Sequence, residues 1–108
     1  MTVYKMLKSL KLSKEVEERA RCYLDAFKEA RPSTNVMLNF HEGDLQIEVC
    51  ANGKEVVVFI DSEGRECIYR LNKGEMPVTG AVHEVPRWGE PSSETKAVIK
   101  RELDWVFE

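Results

Sequence analysis

The dipeptide Asn52-Gly53 lies between two runs of alternating apolar and polar residues, 45–51 and 55–61. Asn-Gly suits a two-residue type I′ hairpin turn, because both turn positions need a positive φ. A hairpin closed there places three apolar pairs on one face of a sheet: Val49 with Val56, Ile47 with Val58, and Leu45 with Ile60. A shift of one residue would send each set to the opposite face, so the turn and the apolar pattern predict the same register.

Two segments have the apolar spacing of amphipathic helices. Ser13 is a capping residue before the first segment and Pro32 ends it, so we expect a helix over residues 13–31. Ser93 opens the second segment, which predicts a helix over residues 93–107. The apolar spacing upstream of Ser13 also predicts a short leading helix.

The outer face of the first long helix carries opposite charges four residues apart. The pairs are Glu15 with Arg19, Glu17 with Arg21, and Arg21 with Asp25. Such pairs usually lie in water and add a few tenths of a kcal/mol each. We therefore interpret this side of the helix as a solvated face.

From residue 35 the apolar period changes from helical to two, which predicts strands. Turn residues separate strands that end near residue 41, span 45–51 and 55–61, and span about 65–71, with a weaker fifth strand in 76–85. The predicted fold class is α+β: a mainly antiparallel four- to five-stranded β-meander flanked by an N-terminal and a C-terminal α-helix. At 108 residues, the chain is expected to form a single domain over residues 1–108.

The predicted sheet has apolar residues on both faces. Carrying the pairing through the next hairpin puts Phe59 opposite Cys67 and Val57 opposite Tyr69, on the face away from the Asn-Gly hairpin pairs. A solvated face would be polar, so a cover is expected over this second face. Either one helix packs on each face, or the sheet bends around a helix, or the second face is a contact surface for another protein or a second copy of the chain.

Composition limits the classes of function. No apolar run approaches the roughly 18 residues of a membrane span, and we expect a cytoplasmic protein without a secretory signal. The net charge of −3 argues against direct binding of nucleic acid, which needs a clustered basic face. Cys22, Cys50 and Cys67 are odd in number and have no metal-ligand spacing, so we expect reduced, mostly buried thiols.

The sequence contains no catalytic or cofactor motif that rises above background. Its two histidines, in His41-Glu42 and His83-Glu84, could form a metal site only if the first and fifth strands met in a closed barrel. Neither pair has the helical spacing of a zinc protease motif. We predict no catalytic residue, no cofactor and no metal ion.

The loop that precedes the last helix holds Arg87 and Trp88 between two prolines. Tryptophan and arginine are enriched at interface hot spots, and a loop stiffened by proline loses less entropy on binding. Alternatively, Trp88 folds back to cap the core at the edge of the sheet. We name Arg87, Trp88, Tyr69 and Phe59 as candidate interface residues.

These observations favour a non-catalytic protein-protein interaction module, such as an inhibitor of the immunity protein, antitoxin or phage anti-defence class. The expected partner is another protein or a second copy of the chain, with no nucleic acid and no membrane. The competing hypothesis is a small enzyme or ligand-binding domain with a pocket between helix and sheet.

Overall fold

The computed structural model describes residues 2–63, 65–72, 83–85 and 93–108. Within these ranges the elements are α1 (Val3–Ser9), α2 (Lys14–Ala30), β1 (Met37–His41), β2 (Asp44–Ala51), β3 (Lys54–Ile60), β4 (Glu66–Asn72), β5 (His83–Val85) and α3 (Ser93–Phe107). This order confirms the predicted α+β class and all three predicted helices. None of these three helices has both the length and the apolar character needed to cross a bilayer.

The turn between β2 and β3 has the predicted backbone conformation. Asn52 and Gly53 have φ values of 53° and 77°, and Ala51 pairs with Lys54. The three apolar pairs expected on one face are present, which confirms the register. The next hairpin is also in the predicted register, with Phe59 opposite Cys67 and Val57 opposite Tyr69.

The strands form one antiparallel sheet in the order β1-β2-β3-β4-β5. Consecutive strands are neighbours, because each of the first two connections is a two-residue turn that can only join adjacent antiparallel strands. β1 and β5 therefore lie at opposite edges of the sheet. Residues 76–82 of the predicted fifth strand, including Pro77 and Gly80, lie outside the described residues.

Helix α2 begins where the sequence predicts. The side chain of Ser13 accepts a hydrogen bond from the Val16 N–H at 3.3 Å, which satisfies one of the free donors of the first turn. The helix buries one face, and Tyr23 and Phe27 are its largest fully buried side chains. This apolar side of α2 forms part of the single core.

The core lies between the helices and one face of the sheet, which we call the first face. Its strand residues all come from that face: Leu45, Ile47, Val49, Val56, Val58, Ile60 and Ile68. α2 and α3 also contact each other, and α3 contacts β2 and β3. The expectation of one helix on each face is therefore wrong, because α2 and α3 pack side by side on the same face.

The C-terminal end of α3 packs against the turn of the β2–β3 hairpin. Asn52 Nδ2 donates to two carbonyl oxygens at this end, at 3.0 and 3.3 Å, and Lys54 Nζ donates to the carbonyl of Trp105 at 2.9 Å. A cation is favourable there because the last carbonyls of a helix carry a partial negative charge. Arg70 stacks over the Trp105 ring at 4.4 Å and binds the buried carboxylate of Glu102. These contacts fix α3 on the first face.

Candidate functional site

The second face of the sheet is the side that faces away from the core. Because side chains alternate along a strand, every other residue of β1 to β4 belongs to it. These residues are Met37, Asn39, His41, Asp44, Gln46, Glu48, Cys50, Glu55, Val57, Phe59, Cys67, Tyr69 and Leu71. None of the three described helices lies over them, since no second-face residue belongs to the core cluster.

An apolar patch occupies the β3–β4 half of the second face. It consists of Val57, Phe59, Cys67, Tyr69 and Leu71. Phe59 and Tyr69 are diagonal neighbours across the two strands, close enough for aromatic side chains to interact. Val57 is buried, whereas both aromatic side chains are half-buried and keep part of their surface accessible.

The structure brings together two of the four predicted interface residues. Phe59 and Tyr69 share the apolar patch. Arg87 and Trp88 lie outside the described residues, so their part in an interface stays a prediction, as does the alternative that Trp88 caps the core.

Acidic side chains border the apolar patch. Glu48 lies opposite Val57 on the β2 side, and Glu55 lies opposite Leu71. Desolvation, followed by the charge of Glu55, raises the pKa of Glu48 above its ordinary value. The sheet thus holds two carboxylates near each other at the border of an apolar surface, where water screens them less than in solution.

Replacing Glu48 by glutamine is expected to raise the melting temperature at neutral pH. The folded state raises the pKa of Glu48, so ionised Glu48 is disfavoured in the fold at pH values above that raised pKa. The penalty disappears as the pH falls below the ordinary value of 4.5, and the two melting temperatures should then converge. Thermal unfolding followed by circular dichroism across this pH range tests the prediction, with Glu18→Gln on the exposed side of α2 as the control. A Glu48→Gln variant that melts lower than the parent at neutral pH would contradict it.

The cysteines are less buried than the sequence predicts. None of the three forms a disulfide among the described residues, but Cys50 is exposed and Cys22 and Cys67 are only half-buried. The expectation of mostly buried thiols is therefore wrong, because Cys50 and Cys67 lie on the second face, over which none of the described helices packs. Desolvation and the charge of Glu55 raise the pKa of the Cys50 thiol, which disfavours the nucleophilic thiolate at neutral pH.

The two histidine pairs are not brought together. β1 and β5 lie at opposite edges of the sheet, so His41 and His83 cannot share a site through a closed barrel of the described strands. The His41 side chain is 81% exposed, with Nε2 3.8 Å from the Glu42 carboxylate. Across residues 2–63, 65–72, 83–85 and 93–108, no group of three His, Cys, Asp or Glu side chains could hold a metal ion.

A buried polar cluster on the first face was not predicted from the sequence. Arg19 Nε and the Tyr23 hydroxyl both donate to the carboxylate of Glu66, the latter at 2.6 Å. Arg19 is 3% exposed and Glu66 is 1% exposed. Burial raises the pKa of Glu66, against the lowering effect of its two donors. The expectation that Arg19 pairs with Glu15 in water is wrong, because α2 directs the Arg19 side chain into the core, toward Glu66 of β4.

In the described part of the chain, two of the grooves lie at the helices, and neither of these two contains a constellation for catalysis. The larger, of about 660 Å³, lies between α1 and the start of β1. Two of its polar side chains are already engaged: the Tyr4 hydroxyl donates to Asp25 at 2.7 Å, and Lys28 Nζ donates to the Thr34 carbonyl at 2.8 Å. The smaller, of about 360 Å³, lies between α2 and α3 and is lined by Ala26, Glu29, Ala30, Lys96, Ala97 and Lys100. Neither groove includes His41.

The second face is therefore the candidate functional site in the described part of the chain. It combines an apolar centre, two partly accessible aromatic rings and an acidic border. Comparison with known proteins adds no functional information. No protein-family model matches the sequence, and neither the curated proteins nor the solved structures provide a match.

Proposed function

We propose that this chain is a non-catalytic protein-interaction module that binds a partner protein through the second face of its sheet. The observation that carries the proposal is the packing of α2 and α3 on the first face only. That arrangement leaves the apolar patch without a described helix over it. The solvated face of an antiparallel sheet normally carries polar residues. An apolar patch at such a place is typical of a surface that binds another protein.

The chemistry of the second face defines the partner that would fit it. Tyrosine and phenylalanine supply large contact areas with few rotatable bonds, which favours their use as anchors. Glu48 and Glu55 at the border favour a partner whose apolar contact region is flanked by lysine or arginine. The open face of a sheet suits a protein surface better than a small ligand, because small ligands usually bind in a concave site.

The inhibitor classes suggested by the sequence remain finer hypotheses within this proposal. An immunity protein, an antitoxin and an anti-defence factor would each act by covering the surface of a target. The acidic border and the absence of a catalytic constellation in the described residues agree with that mode of action. The identity of the bound target would distinguish these classes.

The competing hypothesis of a small enzyme or ligand-binding domain rests on the 660 Å³ groove between α1 and β1. This groove lies between a helix and the sheet, as that hypothesis expects. However, Tyr4 and Lys28 are already hydrogen-bonded, and desolvation raises the pKa of the Tyr4 hydroxyl to about 12. A tyrosine with that pKa is a poor general base near pH 7, so the groove supports catalysis less well than the second face supports binding.

A photo-crosslinking amino acid placed at position 69 tests the proposal in the source cell. The matched control carries the same amino acid at position 18, on the exposed side of α2. We expect a specific crosslink to another protein from position 69 and not from position 18. Equal crosslinking from both positions, or a crosslink from position 69 only to a second copy of the chain, would contradict the proposal.

The captured partner then allows a quantitative test. Tyr69→Ala should weaken binding by about tenfold or more, because truncating an aromatic anchor removes much of the interface energy. Isothermal titration gives the dissociation constant, and thermal unfolding of the same variant reports folding. Glu18→Ala serves as the control and should change neither. Unchanged binding by Tyr69→Ala would exclude the apolar patch as the interface.

A further inference from the structure

Among the described strands, the edge strand β1 carries no lysine, proline or bulge that would block pairing with another chain. Among the described strands it has one neighbour, β2, and its residues Met37 and Phe40 are 47% and 40% exposed. Natural edge strands are commonly blocked by lysine, proline or a bulge. The segment 35–41, Asn-Val-Met-Leu-Asn-Phe-His, contains no proline, no glycine and no lysine, arginine or carboxylate.

The turn that follows β1 determines which backbone groups face outward. Glu42 and Gly43 form a two-residue loop with φ values of 52° and 86°, and His41 pairs with Asp44. The residues that flank such a loop exchange both of their backbone hydrogen bonds, and bonded pairs then alternate along the strands. It follows that the N–H and C=O groups of Leu38 and Phe40 point away from β2, toward the open edge.

We propose that two copies of this chain associate by pairing their β1 strands antiparallel about a two-fold axis at Asn39. The backbone N–H and C=O groups that point away from β2 in one copy must bond to the same groups in the other copy. A register centred on Asn39 meets this condition and overlaps all five residues of β1. Leu38 of each copy then exchanges two backbone hydrogen bonds with Phe40 of the other. The pairing extends the five-stranded sheet across the axis into one continuous sheet.

The side chains agree with this register. Leu38 and Phe40 both belong to the first face, opposite Ile47 and Leu45 of β2. In the dimer, the exposed Phe40 ring of one copy lies directly across from Leu38 of the other, and the two-fold axis repeats the contact. Such aromatic and aliphatic pairs are typical of stable cross-strand neighbours.

The charge distribution favours a second copy as the occupant. Residues 2–14 contain four lysines and no acid, and α1 lies beside residues 36–38 at the start of β1. The other end of β1 leads into the turn with Glu42, which is 82% exposed. Antiparallel pairing places the start of one strand next to the end of the other, so the basic α1 region of each copy faces the acidic turn of its partner. Glutamate is an unusual residue at a positive φ, where asparagine or glycine is preferred.

A disulfide at the two-fold axis tests the register. In a Cys50→Ser background, Asn39→Cys would place two thiols in a pair that is not hydrogen-bonded, with Cα atoms about 4.5 Å apart and within disulfide range. The control His41→Cys places its two thiols roughly 14 Å apart along the paired strands. Both native side chains are exposed, so neither substitution threatens the fold.

We expect mild oxidation to produce a covalent dimer of Asn39→Cys and not of His41→Cys, seen by non-reducing electrophoresis. A mixture of Met37→Cys and His41→Cys should crosslink, because those positions face each other in the proposed register. Failure of Asn39→Cys to crosslink, or equal crosslinking of both single variants, would overturn the proposal. Pairing with an extended segment of a different protein instead of a second copy would give the first of these results.

Charge exchange provides an independent measurement. The interface is small, so sedimentation equilibrium should show a concentration-dependent dimer that dissociates on dilution. Leu38→Lys and Phe40→Glu should each be monomeric, whereas their mixture should form a heterodimer that contains one Lys–Glu pair and one native Leu–Phe pair. A parent chain that stays monomeric at the highest soluble concentration would overturn the proposal. This test leaves the second face untouched, so its failure would not bear on the proposed function.

Discussion

Replacing Glu66 by alanine is expected to destabilise the fold by about 3–5 kcal/mol. The carboxylate accepts hydrogen bonds from Arg19 and from Tyr23, and all three side chains are buried. Removing it leaves the Arg19 guanidinium as an uncompensated buried charge, and the Tyr23 hydroxyl loses its acceptor. Urea unfolding at neutral pH measures the loss.

Two further variants show whether the loss comes from the buried charge. Glu63→Ala breaks the exposed ion pair with Arg65, at 3.0 Å, and should cost far less stability than Glu66→Ala, because water screens exposed pairs. The double variant Arg19→Met with Glu66→Leu removes both charges and should recover most of the stability, because a buried ion pair adds little over a packed apolar pair. A Glu66→Ala variant that loses no more than Glu63→Ala would show that the cluster is not energetically important.

The buried contact between Arg19 and Glu66 could not be predicted from the sequence. Arg19 lies four residues after Glu15 on a helix, so the local pattern predicts a solvated ion pair. Glu66 follows a turn, where an exposed acid is ordinary. Only the packing of α2 on β4 brings the two together, and no local spacing encodes a contact between residues so far apart in the chain. Turn chemistry, in contrast, is local, which is why the register of β2, β3 and β4 was predictable to the residue.

The position of the helices could not be predicted for a related reason. The two faces of the sheet are both apolar in the sequence, so the strand pattern alone does not choose between them. The choice is made by α2 and α3 packing against each other on the first face, with Asn52 and Lys54 fixing the end of α3. The sequence does indicate Phe59 and Tyr69 as neighbours on the second face, because that follows from register. The sequence does not show that α2 and α3 both pack on the other face of the sheet.

Glycine at position 53 is the second position where a single substitution should have a large effect. Gly53→Val is expected to destabilise the fold by about 2 kcal/mol, because it forces a β-branched residue to a φ of 77°. A Cβ at this position would meet no atom within 4 Å, so the loss would come from backbone strain and not from a clash. Urea unfolding compares Gly53→Val with Gly53→Asn, which tolerates the left-handed region and should be close to neutral.

A variant of Asn52 distinguishes the contribution of the turn conformation from that of the hydrogen bonds to the end of α3. Asn52→Gly keeps a residue suited to positive φ but removes the side-chain donor to the carbonyls of Val106 and Glu108. We expect it to lose about 1 kcal/mol, the usual contribution of a hydrogen bond, and so to lie between Gly53→Asn and Gly53→Val. If Gly53→Val unfolds at the same urea concentration as Gly53→Asn, the turn does not need a left-handed residue there. The hairpin register would then depend on the apolar pairs alone.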